Sequence, residues 1–132
     1  MFGIFGPMAI GAATIGGFVF GAAWYGVLGK AWMRAANLSE AETKPAVSTM
    51  ITAFLCQAIL ALTMAGVMWH MAISDVRAGL ITAGFVWAGF ITSTMIVNHR
   101  FQGQKWSLTI IDSGHWLGVL LIQGGLLGGL SA

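Results

Sequence analysis

Leu108–Leu130, LTIIDSGHWLGVLLIQGGLLGGL, decides the architecture of this chain. It is apolar over the length of a membrane crossing and has no proline, yet it carries Asp112 and His115 near its start. A hydrocarbon core of ~30 Å is crossed by about 20 helical residues rising ~1.5 Å each. Three further stretches match it in length and polarity: about Pro7 to Leu28, Val47 to Met71, and Val76 to Asn98. Inside a bilayer no water satisfies the backbone, so spanning structures are helices or closed barrels. Barrel strands need ~10-residue segments of alternating polarity, and the sequence shows none. The expected fold is all-α, an integral membrane bundle of four transmembrane helices (7–28, 47–71, 76–98 and 108–130) in a single transmembrane domain, 1–132.

Composition points the same way. Of 132 residues, 58% are hydrophobic and 8% charged, whereas a soluble domain carries about 25% charged residues. Six Lys/Arg and four Asp/Glu cannot cover a water-facing surface of ordinary size. A net charge of +2 is too small to indicate a nucleic-acid partner; the bilayer itself is the expected partner. The lone cysteine, Cys56, excludes an intramolecular disulfide. No basic leader or small-residue cleavage pattern precedes a hydrophilic chain, so the first apolar segment is expected to be retained.

The connections are unequal. Gly29 to Ala46 holds most of the charge. Within it, Asn37 or Ser39 is a candidate N-cap for the second helix, Glu42 completes a capping box with Ser39, and Pro45 suits a helix start. The preceding KAWMRAA reads as an interfacial continuation of the first helix, with Trp32 at headgroup level. Lys30, Arg34, Lys44, Arg100 and Lys105 fall on one side of the membrane and only Arg77 on the other. The positive-inside rule then places the first and third loops in the cytoplasm and both termini outside an inner (cytoplasmic) membrane. Gly17-Phe18-Val19-Phe20 resembles Gly84-Phe85-Val86-Trp87, as two parallel helix hairpins would produce. The abundance of Gly and Phe in membrane helices explains it more simply.

Nineteen glycines punctuate the apolar segments. Gly17 with Gly21, and Gly114 with Gly118, form GxxxG pairs, which let helix backbones approach closely. Such pairs serve packing within the bundle, a homo-oligomer seam, or both. Gly79, Gly84 and Gly89 recur at intervals of five.

Polarity inside the segments is rarer. Asp112 and His115, three residues apart, share a helix face, and Gln123 returns to nearly the same direction. Asp112 lies ~10 Å below the level of Lys105 at 1.5 Å per residue. A charge in lipid costs at least ~2.5 kcal/mol, so this pair must face the bundle or an aqueous cavity. It is either a hydrogen-bonded clamp between helices or a site for a proton, a cation or the polar end of a ligand. Trp24, Tyr25, Asn98 and His99 fall at comparable depth and are candidates to surround it. Trp24 and Tyr25 also suit an aromatic belt, and Asn98 and His99 also suit a helix end. Gln57 at mid-depth reads as a tie between helices. No metal set, cofactor motif or catalytic residue is indicated, since one carboxylate and one imidazole are too few ligands and Ser113 faces away from His115.

The stretches FVFGAAWYGVLGKAWMRAA and STMIVNHRFQGQKWSLTIIDSGHWLGVLLIQGGLLG resemble the bacterial membrane family called domain of unknown function 1761. Gly21-Ala22-Ala23-Trp24-Tyr25, Gly29-Lys30-Ala31-Trp32-Met33 and Leu108 to His115 carry the resemblance most strongly. It implies a small four-helix membrane protein and brings no established activity, cofactor or catalytic residue. Two functional classes remain. One is a non-enzymatic membrane component, self-associating or attached to another membrane protein. The other is an oligomeric transporter or channel subunit for protons, cations or small solutes, using Asp112 and His115.

Overall fold

A computed structural model describes residues 3–131. Its four long helices are α1 (Pro7–Ala36), α2 (Val47–His70), α3 (Val76–Phe101) and α4 (Trp106–Gly129), each long and apolar enough to cross a membrane. No strand occurs among the described residues.

α1 starts on Pro7, whose missing N–H costs nothing in a first turn. Its 30 residues span about 45 Å, so the helix outruns a bilayer core of ~30 Å. Lys30, Trp32 and Arg34 therefore extend α1 past Leu28 instead of opening a loop. It stops at Asn37, left-handed at φ 57°, where the Asn37 and Leu38 amides bond the Arg34 and Met33 carbonyls. This is the Schellman arrangement, with Asn in place of the more usual Gly.

Two expectations for the first connection need correction. Asn37 ends α1 and does not cap α2. The capping box forms, with the Ser39 amide on Glu42 Oε1 at 2.9 Å and the Glu42 amide on Ser39 Oγ at 3.4 Å. It opens only a three-residue 3-10 turn, Ala41–Thr43. Pro45 disfavours helical geometry in the preceding Lys44, which is extended, and extended Ala46 follows before α2 begins at Val47.

α4 is the axis of the bundle. α1 and α3 each pack along it, α2 packs on α1, and α2 touches α3 sparsely. That sparse contact includes the approach of the Met68 methyl to Gly79, near the connecting turn. The half of the bundle holding this turn is apolar and close-packed: Ala9, Ala13, Ala61, Ala65 and Ala83 surround Met64, Met68, Leu120 and Leu127. The other half contains the basic loops and most of the buried aromatic and polar groups. α3 is interrupted by a π-helical segment, Trp87–Thr92, a rare geometry that is frequent at functional sites.

Glycine sets the α3–α4 crossing. A methyl group added to Gly79 would run into the Gly124 carbonyl, and one added to Gly124 into the Gly79 carbonyl. Backbone meets backbone there, with no flexible side chain to yield. By contrast, Gly84 and Gly89 face open space, so the five-residue spacing does not make a packing face. Gly79→Ala is expected to destabilise the fold by about 1–3 kcal/mol through overpacking, while Gly84→Ala gains up to about 1 kcal/mol of helix propensity. Thermal unfolding in mild detergent reads both, and equal midpoints would contradict the backbone crossing.

Hydrogen bonding from Ser39 holds the Glu42 carboxyl below its usual range. A depressed folded-state pKa stabilises the turn above the unfolded pKa and is lost as pH falls through the folded one. The Ser39 amide resonance should therefore titrate with a midpoint below that of an unstructured glutamate. A normal midpoint would mean that the box is open in solution.

Candidate functional site

The polar cluster is assembled by antiparallel pairing of α1 with α4. Gly17 lies opposite Gln123, Gly21 opposite His115, and Tyr25 opposite Asp112. The exchange is reciprocal, since Gly118 receives the Phe20 ring and Gly114 the Trp24 ring. At these four glycines one helix presents a large side chain where the other presents only hydrogen. This lets polar groups enter an interface with no room for a second layer of side chains.

At the cytoplasm-predicted end, Tyr25 Oη donates to Asp112 Oδ1 at 2.6 Å, within the short range of hydrogen bonds to an ionised acceptor. Trp32, two turns after Tyr25 on the same face, packs edge-on to the Tyr25 ring at 5.8 Å and directs its indole toward the same carboxylate. On either side of Asp112, indoles from two different helices bond main-chain carbonyls of α4. Trp24 Nε1 donates to the Ile111 oxygen at 3.1 Å, and Trp87 Nε1 of α3 to the Ser113 oxygen at 2.7 Å. A carbonyl has two lone pairs, so each can accept an indole beside its helical bond. Gly114 makes room for the first of these, because a Cβ there would lie 3.0 Å from the Trp24 ring.

His115 is 7% exposed and sits among aromatic rings, Tyr25 at 4.9 Å and Trp116 at 4.6 Å. Its Nδ1 has no hydrogen-bond partner among the described residues. Asp112 and His115 share the α1-facing side of α4, but the Asp112 bond goes to Tyr25. Deeper in the bundle, Gln123 Nε2 donates to Gln57 Oε1 at 3.1 Å and to the Gln57 carbonyl at 3.3 Å, tying α4 to α2 across Gly17.

His99 adjoins the cluster without joining it. Its Nδ1 lies 2.8 Å from Thr109 Oγ1, which also accepts from Arg100 Nη2 at 2.9 Å. His99 is close enough to act on Asp112 through space. The Arg100 guanidinium lies 3.7 Å from the centroid of the Trp106 ring. Asn98 is elsewhere, on a cleft between α2 and α3. Of the six candidates, the fold brings together Asp112, Tyr25, Trp24 and His115, sets His99 beside them, and leaves Asn98 apart.

Trp32, Trp87 and Thr109 were not foreseen as members. The i, i+7 spacing from Tyr25 was a usable signal for Trp32, masked by its resemblance to a headgroup anchor. Nothing in the sequence pairs Trp87 with Ser113, because that contact is made between helices. Among the described residues, no group of three or more His, Cys, Asp or Glu side chains could hold a metal ion.

A bundle whose polar groups join apolar helices to one another defines a small multi-pass membrane protein. The family described as "Protein of unknown function (DUF1761)" matches residues 8–128, and the chain belongs to it. No curated protein and no solved structure matches the chain.

Tyr25→Phe keeps the ring and removes only the bond to Asp112. Bonds to a charged partner contribute about 1.5–3 kcal/mol, so a loss of that size is expected in detergent unfolding. A double-mutant cycle with Asp112→Asn should show coupling, and strict additivity would mean that the two groups do not meet.

Proposed function

We propose that this chain is a non-enzymatic component of the bacterial inner membrane, with its basic loops in the cytoplasm and both termini outside. The observation that carries this reading is the engagement of Asp112. Its carboxylate is bonded by Tyr25, and the carbonyls on either side are bonded by Trp24 and Trp87. Polar groups arranged in this way hold α1 and α3 against α4. A transport site would instead present its carboxylate to water or to a solute path.

The four GxxxG glycines face side chains of their own chain. Association with a second copy, or with another membrane protein, then falls to surfaces those glycines leave open. The broadest is α2, where Ile51, Leu55 and Ile59 are exposed.

A specific observation favours a second reading, proton or cation movement. His115 Nδ1 is buried without a partner beside the Tyr25 ring, as a proton-accepting group would be. Flux into vesicles reconstituted with the chain separates the two. With a clamp, proton and cation flux equals that of empty vesicles at every pH, in wild type and in Asp112→Asn. Flux in wild type that disappears in Asp112→Asn would establish the transport reading instead.

A further inference from the structure

Between α2 and α3, on the side away from their connecting turn, the helices part and leave a lateral cleft of about 530 Å³. That lies within the about 300–1,000 Å³ of sites that hold small molecules. Leu60 of α2 and Ile91 and Met95 of α3 line its walls, together with Trp116 of α4. Asn98, His99 and Gln102 line it at the basic-loop end. Gln102 directly follows α3, Asn98 lies about 6 Å deeper and Ile91 about 16 Å deeper along the helix. The wall is therefore polar at headgroup depth and apolar toward the membrane centre.

Two amides and an imidazole belong to the polar end. The amide side chains of Asn98 and Gln102 have no partner among the described residues. The imidazole is His99, whose Nδ1 lies 2.8 Å from Thr109 Oγ1 and whose Nε2 has no hydrogen-bond partner among the described residues. Asn98 and Gln102 are both exposed, so their amides face whatever occupies the cleft, and acyl chains alone cannot satisfy them. Arg100 and Lys105 add positive charge at this end, and no acidic residue lies in the chain between Asp75 and Asp112. Basic residues at the membrane surface attract anionic lipid headgroups.

We propose that the cleft is a binding site for one anionic phospholipid from the leaflet on the side of the basic loops. Its phosphate lies against Asn98, His99 and Gln102, and one acyl chain runs along Met95, Leu60, Ile91 and Trp116. A second copy of this chain is a poorer occupant. The exposed α2 surface it would offer, with Met50, Phe54 and Leu55, carries no acidic residue to meet the positive charge. The site holds whether or not the Asp112 cluster moves protons.

Native mass spectrometry of the full chain, released from vesicles of phosphatidylglycerol and phosphatidylcholine, tests this. One phosphatidylglycerol should stay on each chain in preference to phosphatidylcholine. Leu60→Trp, which fills the apolar half, and Asn98→Leu with Gln102→Leu, which removes two donors, should each lower retention by about tenfold, the effect of ~1.4 kcal/mol. Phe90→Leu, at an exposed residue outside the cleft, should retain lipid like wild type. Circular dichroism identifies any variant that fails to fold. Wild-type chain can also be read directly, by quenching of Trp116 fluorescence with bromine-labelled phosphatidylglycerol, using Trp116→Phe to assign the signal. A bare wild-type chain, equal retention of the two lipids, equal loss in Phe90→Leu, or a dimer cross-linked through Cys56 that excludes lipid would each overturn the proposal.

Discussion

The reciprocal fit of α1 against α4 is the constraint on which the rest of the structure depends. In a bilayer, lipid tails are as apolar as leucine, so helices gain little by burying apolar surface against each other. Close approach and hydrogen bonds must hold them together. Gly17 and Gly21 admit Gln123 and His115 from one side, while Gly114 and Gly118 admit Trp24 and Phe20 from the other. A β-carbon at any of these positions would press on a side chain of the facing helices and force it to shift. The α3–α4 contact reaches closeness differently, backbone to backbone at Gly79 and Gly124, which leaves no space for side chains at that crossing.

That difference divides the molecule along the membrane normal. Near the short α2–α3 turn, alanines and methionines pack into a dry core. Toward the basic loops the contacts are aromatic and polar, and three tryptophans converge on the start of α4. A carboxylate is tolerated there because a hydroxyl and an indole replace the water it left behind. The π-helical segment lies at the boundary between these halves. It contains Trp87, which bonds α4, and beyond it α3 continues to Asn98 and the cleft.

The same arrangement separates two kinds of polar residue. Tyr25, Asp112 and Gln123 are paired with other helices. Asn98 and Gln102, on an outward-opening wall, are not. Paired groups hold the fold, and it is the unpaired ones that remain available to something outside the chain.

Much of this was legible from residue order. Hydropathy over membrane-length segments is a local property, so the four helices and the all-α class could be read directly. So could the shared face of Asp112 and His115, which follows from helical spacing. Local reading misled where a motif was right and its use was not: Ser39 and Glu42 form their box on a 3-10 turn, and Asn37 closes the helix it seemed to precede. Partners across helices were hidden. Tyr25 meets Asp112 at a separation of 87 residues and Trp87 meets Ser113 at 26, and no periodicity encodes which faces of two helices will touch. That choice depends on the crossing geometry, set by which glycines face a neighbour and which, like Gly84 and Gly89, face outward. Chain order therefore determined that a carboxyl group would lie near the start of α4, facing the bundle or a cavity and not lipid, and only the packing of α1 and α3 on α4 decided that a tyrosine would be its partner.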